Sequence, residues 1–153
     1  MAPTVLYVPG FWEGSAPFSH VASLLEAQGC PTEIATLPST GTVSPGNPSM
    51  KDDIAAIRSP VTNLVEKGQY VVLVLHSAGA FLGSNAIEGL SLKARQEKPL
   101  RGGVSKIVFL AGAVSPVGYK HSPPPFSTYD VRFEPVSFRQ PPCREEMQGR
   151  IEC

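Results

Sequence analysis

The sequence has no apolar run that approaches the roughly 20 residues of a membrane-spanning helix, and it has no excess of either charge. Its 13 basic residues balance 13 acidic residues, so the formal net charge is zero at pH 7. This balance argues against a nucleic-acid partner and against a surface of anionic lipid. We therefore expect neither nucleic acid nor a membrane among the partners of this chain.

Cysteine is scarce, since the chain has three, at Cys30, Cys143 and Cys153. They are widely spaced and show none of the short intervals typical of metal-binding cysteines. The first residues lead directly into a short apolar stretch, without the charged and hydrophobic regions of a signal peptide. These features favour a reduced, cytoplasmic setting and predict no metal site.

Nucleotide-binding motifs are also missing. The sequence contains neither G-x-G-x-x-G nor a phosphate-binding P-loop, and Gly10 and Gly14 alone are too few for a dinucleotide site. We therefore expect no cofactor. The 153 residues have the length of one domain and suffice to bury a core, whereas the oligomeric state stays unknown at this stage.

Strand-like runs alternate with helical patterns over the first three quarters of the chain. Such alternation predicts an α/β fold, in which a parallel sheet has helices on its sides. We expect strands at residues 4–8, 32–37, 70–75 and 104–112. We expect helices from Pro17 to Gly29, from Ser49 to Gly68 with a kink or restart at Pro60, and from Ala80 to about Lys98.

The composition changes after residue 115, where prolines become frequent. From residue 131 onward no periodic apolar face is present. We therefore predict a core over residues 1–115 and a proline-rich, irregular tail over residues 116–153. Residues 131–153 should pack poorly and be sensitive to protease.

The segment around Ser77 is the most informative part of the sequence. Residues 71–75 form an apolar run typical of a strand buried on both faces of a parallel sheet. The run then breaks, and a helical pattern follows. A serine at such a turn projects its hydroxyl beyond the sheet, beside the amides of the new helix. Residues 75–79, LHSAG, depart from the pattern G-x-S-x-G at Leu75, and a serine after a strand could equally be a helix N-cap.

Two loops together carry a family resemblance. Residues 8–15, VPGFWEGS, resemble the H-G-x-W-x-G-S segment of one branch of the α/β-hydrolase superfamily, with Pro9 in the place of the histidine. Residues 73–79, LVLHSAG, resemble the nucleophile elbow of that branch, and residues 109–114 resemble the strand before its cap. Over about residues 4–129 the chain is similar to small esterases, methylesterases and hydroxynitrile lyases, most closely to fungal hydrolases of secondary metabolism. The resemblance implies the N-terminal portion of an α/β-hydrolase fold.

The resemblance also implies roles for five residues. Ser77 would be the nucleophile of an acyl transfer, and the backbone amides of Phe11 and Ala78 would form an oxyanion hole. Gly10 and Trp12 would border the substrate pocket. The implied partner is a small-molecule carboxylic ester or related acyl substrate. The alternatives are that residues 8–15 form an ordinary tight turn and that the aromatic residues there belong to the core.

A base for the Ser77 hydroxyl is harder to assign. His76 is its neighbour on a predicted strand and should therefore point to the opposite face of the sheet. His20 lies in the first predicted helix, where a surface or capping position is expected. His121 follows Ser77 but lies where the family begins its cap.

An acid is equally hard to assign. Asp52 and Asp53 fit the first turn of a helix, where carboxylates complement the helix dipole. Asp130 lies at no strand end that the sequence indicates. The family order is serine, then acid, then histidine, and no histidine follows His121. We therefore expect an incomplete triad and an impaired hydrolase, through truncation, alternative splicing or a change of reading frame after about residue 130.

Two other functions stay open. One is a non-catalytic module on the same fold that binds a small molecule without turnover. The other is a doubly wound nucleotide-binding domain, which the missing phosphate motifs do not favour.

Overall fold

The computed structural model describes residues 2–41 and 48–112 of the chain. Within these ranges strands and helices alternate as the sequence predicts. The tail over residues 116–153, together with His121 and Asp130, lies outside the described residues. In chain order the elements are β1 (Thr4–Val8), α1 (Ala16–Ala27), β2 (Thr32–Ile34), α2 (Met50–Glu66), β3 (Tyr70–His76), α3 (Gly79–Ala86), α4 (Leu92–Gln96) and β4 (Gly103–Leu110).

The four strands form one parallel sheet in the order β2-β1-β3-β4. β1 pairs with β3 along its whole length, from Thr4 opposite Val71 to Val8 opposite Leu75. Every residue of β1 is buried, as expected for a central parallel strand with helices on both faces. Because all strands run in one direction, the loops that follow β1, β3 and β4 leave the sheet at the same edge.

Side chains of β1 alternate between two cores. On one face, Val5 and Tyr7 pack against Phe18 and Ala22 of α1. On the other face, Leu6 and Val8 belong to the larger core. That core also contains apolar residues of β3, α2 and α3, namely Leu73, Leu75, Ile57, Val61, Leu64, Val65, Leu82 and Ala86. The predicted α/β architecture is confirmed.

The predicted strands are confirmed in position, although β2 ends three residues earlier than predicted, at Ile34. The single helix predicted from Ala80 to Lys98 is wrong, because the segment forms two helices, α3 and α4. Gly89 between them has a φ of 74°, and Ser91 begins α4 by accepting a hydrogen bond from the Ala94 N–H at 3.2 Å. Leu90 lies between the two helices, and its side chain is buried in the larger core. The apolar spacing therefore continues through residues that are not helical.

Of the kink or restart predicted at Pro60, the restart is wrong, because α2 continues to Glu66 as one helix. A proline inside a helix costs about 3 kcal/mol through its missing N–H and its ring. Ile57 and Val61 on either side of it are fully buried, and each contributes roughly 1.5–3 kcal/mol by burial. Packing on the sheet therefore outweighs the local preference.

The two aspartates that the sequence predicts as capping residues have different roles at the start of α2. Asp52 does cap the helix, because its Oδ2 accepts the Ser49 N–H at 2.7 Å. Asp53 instead is buried, and its carboxylate accepts the Ser39 N–H at 3.0 Å and the Ser39 hydroxyl at 2.7 Å. Asp53 therefore holds the loop after β2 to the helix.

Candidate active site

Ser77 follows β3 directly and has a left-handed backbone conformation, with a φ of 50°. Few residues other than glycine adopt such angles, which cost about 1–3 kcal/mol and persist only when the surroundings enforce them. The Ser77 N–H donates to the Leu110 carbonyl at the end of β4, at 3.0 Å. The residue is exposed, and Ala78 occupies the N-cap position of α3. Ser77 is therefore presented at a sharp turn from strand to helix, and the alternative of an N-cap serine is not what the structure shows.

The loop after β1 contacts this turn at the edge of the sheet from which both leave. A Cβ added to Gly79 would lie 2.5 Å from the Val8 carbonyl oxygen and 2.6 Å from that of Pro9. A Cβ added to Gly10 would lie 3.0 Å from the Ser77 Cβ. Glycine at both positions lets the two backbones approach this closely.

Leu75 departs from the G-x-S-x-G pattern, and a glycine elsewhere in the chain leaves room for its side chain. Its side chain is fully buried in the larger core. A Cβ on Gly83 of α3 would overlap the Leu75 Cδ2 atom. The pattern places a small residue at position 75. Here the small residue is instead Gly83 on the facing helix, eight residues further along the chain. The sequence did not predict this pairing, because the motif covers only residues 75–79 and Gly83 lies outside it.

Glu13 joins the two loops through its carboxylate. One oxygen, Oε2, accepts the Gly10 N–H at 2.7 Å and lies 2.7 Å from His76 Nδ1. Because an ionised carboxylate can only accept, the His76 ring N–H donates in this contact. The Gly10 amide, and to a lesser extent His76, holds the pKa of Glu13 below its usual value, against an opposing effect of burial. We call this arrangement of Glu13, Gly10 and His76 the Glu13 bridge.

The Glu13 bridge is the part of the site that sequence reasoning did not find. Glu13 and His76 are 63 residues apart in the chain. The expectation that His76 points away from Ser77 agrees with its contacts, since its ring also packs on Phe18 of α1 with the ring centroids 6.1 Å apart. Nothing in the sequence pattern, however, indicated a partner for His76.

The two aromatic residues after Gly10 are both exposed rather than part of a core. Phe11 is 46% exposed and Trp12 is 89% exposed. Their ring centroids are 6.0 Å apart, and Trp12 has a φ of 62°, a second strained backbone position beside Ser77. The amides of Phe11 and Ala78 belong to the two contacting loops. Their convergence on the Ser77 hydroxyl stays a prediction, as does the role of Gly10 and Trp12 in a substrate pocket.

An open cleft of about 380 Å³ lies on the α1 side of the sheet, lined by His76, Phe18, Val74, Leu110 and three further residues, Tyr7, Pro17 and Val21. Ser77, Gly10 and Trp12 do not line it. The cleft therefore does not coincide with the predicted acyl pocket.

The other described histidine lies apart from this site, and no metal or membrane feature is found in the described residues. His20 is exposed on α1. Across residues 2–41 and 48–112 no cluster of three histidine, cysteine or carboxylate residues is placed to hold a metal ion. No helix in the part of the chain that the structure describes has the length and apolar character needed to cross a membrane.

Comparisons with known proteins agree with this arrangement. The sequence profile described as the alpha/beta hydrolase family matches residues 5–148. The chain is also similar to the alpha/beta hydrolase nvfD of Aspergillus novofumigatus, with 31% identity over 119 residues. That alignment covers 77% of this chain and 46% of the relative, so the chain spans about half the length of the curated relative that it matches.

Proposed function

Since this chain belongs to the alpha/beta hydrolase family, we propose that Ser77 is the nucleophile of an acyl transfer from a small carboxylic ester or related acyl compound. The observation that carries the proposal is the backbone of an exposed serine held at a φ of 50° between β3 and α3. Strain of this kind concentrates at functional sites, where the surrounding structure enforces it. The close approach of the Gly10 loop to the same serine supports the assignment.

The chemistry requires donors for the charge that develops on the substrate. Attack of the Ser77 hydroxyl oxygen on an ester carbonyl places a negative charge on the carbonyl oxygen. We assign its stabilisation to the Ala78 amide, at the N-terminus of α3, and to the Phe11 amide on the contacting loop. The N-terminal end of a helix carries partial positive charge, which adds to the effect of these donors.

The attack also requires a base that takes the serine proton. The described part of the chain contains two histidines, His20 and His76. His20 is exposed on α1, and His76 bonds to Glu13 through Nδ1. We therefore assign no described residue as the base, and we propose that the chain as it stands supplies the nucleophile and the oxyanion donors but turns over slowly.

Covalent labelling of Ser77 tests the assignment of the nucleophile. A fluorophosphonate probe should label Ser77 at least about tenfold faster than Ser84, an exposed serine on α3, because only Ser77 has oxyanion donors beside it. Peptide mass spectrometry measures both rates in one sample. Ser77→Ala should abolish the fast labelling, whereas Ser84→Ala should leave it unchanged. Equal labelling of the two serines would exclude the proposed nucleophile.

Hydrolysis of a short-chain nitrophenyl ester tests the missing base. In buffer alone the rate should be barely above background, and Ser77→Ala should change it little, because no residue that the structure describes is assigned to take the serine proton. Imidazole added as an external base should raise the rate of the native chain above that of the Ser77→Ala variant. Robust Ser77-dependent turnover without imidazole would show that the chain carries its own base.

A second candidate function is binding of a small molecule without turnover. The observation that favours it is the Trp12 indole, which is 89% exposed on the loop whose Gly10 approaches Ser77. Under this alternative Ser77 would show no selective labelling. A small acyl or aromatic ligand would nevertheless raise the melting temperature and change the Trp12 fluorescence.

A further inference from the structure

One carboxylate oxygen joins the two loops that meet at Ser77. Glu13 Oε2 accepts the Gly10 N–H at 2.7 Å and the His76 Nδ1–H at 2.7 Å. Gly10 lies against Ser77, and His76 immediately precedes Ser77 in the chain. The carboxylate is thus bonded on one side to the loop after β1 and on the other side to the end of β3.

The backbone of the same loop adds weaker contacts. The Glu13 N–H donates to the Gly10 carbonyl at 3.4 Å, and the Thr40 hydroxyl donates to the Glu13 carbonyl at 3.5 Å. Both distances are at the long end for hydrogen bonds, whereas the two bonds to the Glu13 carboxylate are short and charge-assisted. The side chain of Glu13 therefore supplies the stronger part of the connection.

Two strained residues make such a connection necessary. Trp12 and Ser77 both have positive φ, a strained backbone conformation for residues other than glycine. Trp12 is mostly exposed, so it gains little from packing that could hold its backbone in place. The bonds made by its neighbour Glu13 are the described contacts that fix this stretch of the loop relative to Ser77.

We propose that Glu13 is a positioning residue that holds the Gly10–Phe11 segment against Ser77 and so aligns the Phe11 amide as an oxyanion donor, an inference that rests on the proposed function. Glu13 acts through the Gly10 amide and His76, and it contacts no substrate. An error of about 1 Å in the position of a donor is enough to cost roughly 100-fold in rate, so a bond that fixes this loop has a large effect on the chemistry.

The bridge responds to acid in a defined direction. The folded structure lowers the pKa of Glu13 from its usual 4.5, first through the Gly10 amide and then through His76. His76 is the titratable side chain that contacts Glu13 within residues 2–41 and 48–112. A group whose pKa is lowered on folding stabilises the structure above its unfolded pKa. That contribution is lost as the pH falls through the folded pKa, so the bridge is intact at neutral pH and opens below pH 4.5.

The first test observes the bridge without any chemistry. With glycine labelled by ¹⁵N, the Gly10 amide resonance should shift on acidification, with a midpoint below pH 4.5, because the carboxylate that accepts its hydrogen bond is lost. The anisotropy of Trp12, the single tryptophan, should fall over the same range as the loop gains freedom. Glu13→Gln should abolish both transitions, and Glu33→Gln, a change at an exposed residue of β2, should leave them in place. If the Gly10 amide resonance has the same position in Glu13→Ala as in the native chain, the bridge is excluded.

The second test measures what the bridge does for Ser77. Glu13→Ala should lower the maximal rate of fluorophosphonate labelling at Ser77 by about 10- to 100-fold and leave the probe concentration at half-maximal rate little changed. Glu13→Gln keeps an acceptor for the Gly10 N–H and should restore part of the rate. A merely structural residue would lower the melting temperature of the variant but not the labelling rate of the folded protein.

The two tests separate the possible failures. If the Gly10 resonance reports the bridge but the native chain shows no selective labelling of Ser77, the proposed nucleophile is wrong and Glu13 positions nothing. If labelling is selective but equal in Glu13→Ala, the positioning role is wrong and the proposed function stands.

Discussion

Gly83 shows how one residue allows another to break a motif. In an exposed helix alanine is about 1 kcal/mol more favourable than glycine. Here a Cβ would overlap Leu75, and overpacking of a buried core typically costs 1–3 kcal/mol. Because the gain offsets part of the cost, we expect Gly83→Ala to destabilise the protein by up to about 2 kcal/mol in urea unfolding. Gly14→Ala, at a position where a Cβ meets nothing within 4 Å, should be nearly neutral.

The pairing of Leu75 with Gly83 is tested by combining changes at both positions. Leu75→Ala alone leaves a cavity and should cost about 2–5 kcal/mol. Adding Gly83→Ala to that variant should cost nothing or restore stability, because the new methyl group enters space that Leu75 has vacated. Strictly additive effects of the two substitutions would show that the residues do not share this space.

Three elements are joined by Arg95 of α4, which is almost fully buried. Its guanidinium donates to the Val65 carbonyl at the end of α2 at 3.0 Å and to the Gly102 carbonyl before β4 at 3.1 Å. It also donates to Glu66 at 2.8 Å. From the sequence Arg95 looks like one more cation near a helix C-terminus, so its structural role depends on contacts that no local pattern reveals.

Removal of Arg95 should therefore cost far more than removal of a neighbouring charge. Arg95→Met leaves the Gly102 carbonyl without its side-chain donor, and an unsatisfied buried group costs about 1–3 kcal/mol. The Val65 carbonyl loses one of two donors, because it keeps the Gly68 N–H at 3.0 Å. We expect a loss of about 2–4 kcal/mol in the free energy of unfolding, measured by denaturant titration. Lys93→Met, at an exposed position of the same helix, should stay within about 0.5 kcal/mol. Similar effects of the two variants would contradict the role given to Arg95.

At the level of elements, the sequence predicted what depends on local pattern. The strand of Val71 to Leu75 and the turn at Ser77 follow from an apolar run that ends at small residues. The sequence did not predict the helix break before Ser91. Leu90 is buried although it is not helical, so the apolar residues keep the spacing of a continuous helix. Glu13 and Gly83 were missed for another reason, since each acts on a residue of another element, and only the packed structure brings the partners together.

Across the whole described molecule, the sheet ends at β4 with apolar side chains accessible on both faces. Val108, Phe109 and Leu110 are each between 39% and 49% exposed. Within the described ranges β3 is the one strand that pairs with β4, apart from a single bridge between Val104 and Ser91. Exposed apolar edge strands favour pairing between copies of a chain. Val108→Lys should therefore reduce concentration-dependent light scattering of the purified chain without lowering its melting temperature. Gln96→Lys, which adds the same charge on α4, should not reduce the scattering, and equal effects would point to net charge instead of the strand edge.

The hydrogen bond from the Ser77 N–H to the Leu110 carbonyl has a consequence for biosynthesis. A ribosome makes the chain from its N-terminus at about 5–20 residues per second, so Gly10, Glu13 and Ser77 all emerge before β4. When β1 and β3 have left the ribosome, the nascent chain already contains both loops. It does not yet contain the Leu110 carbonyl that accepts the hydrogen bond of the Ser77 N–H. The serine therefore acquires its final backbone support only when β4 joins the sheet, and translation delivers the Ser77 hydroxyl before the strand that supports its backbone.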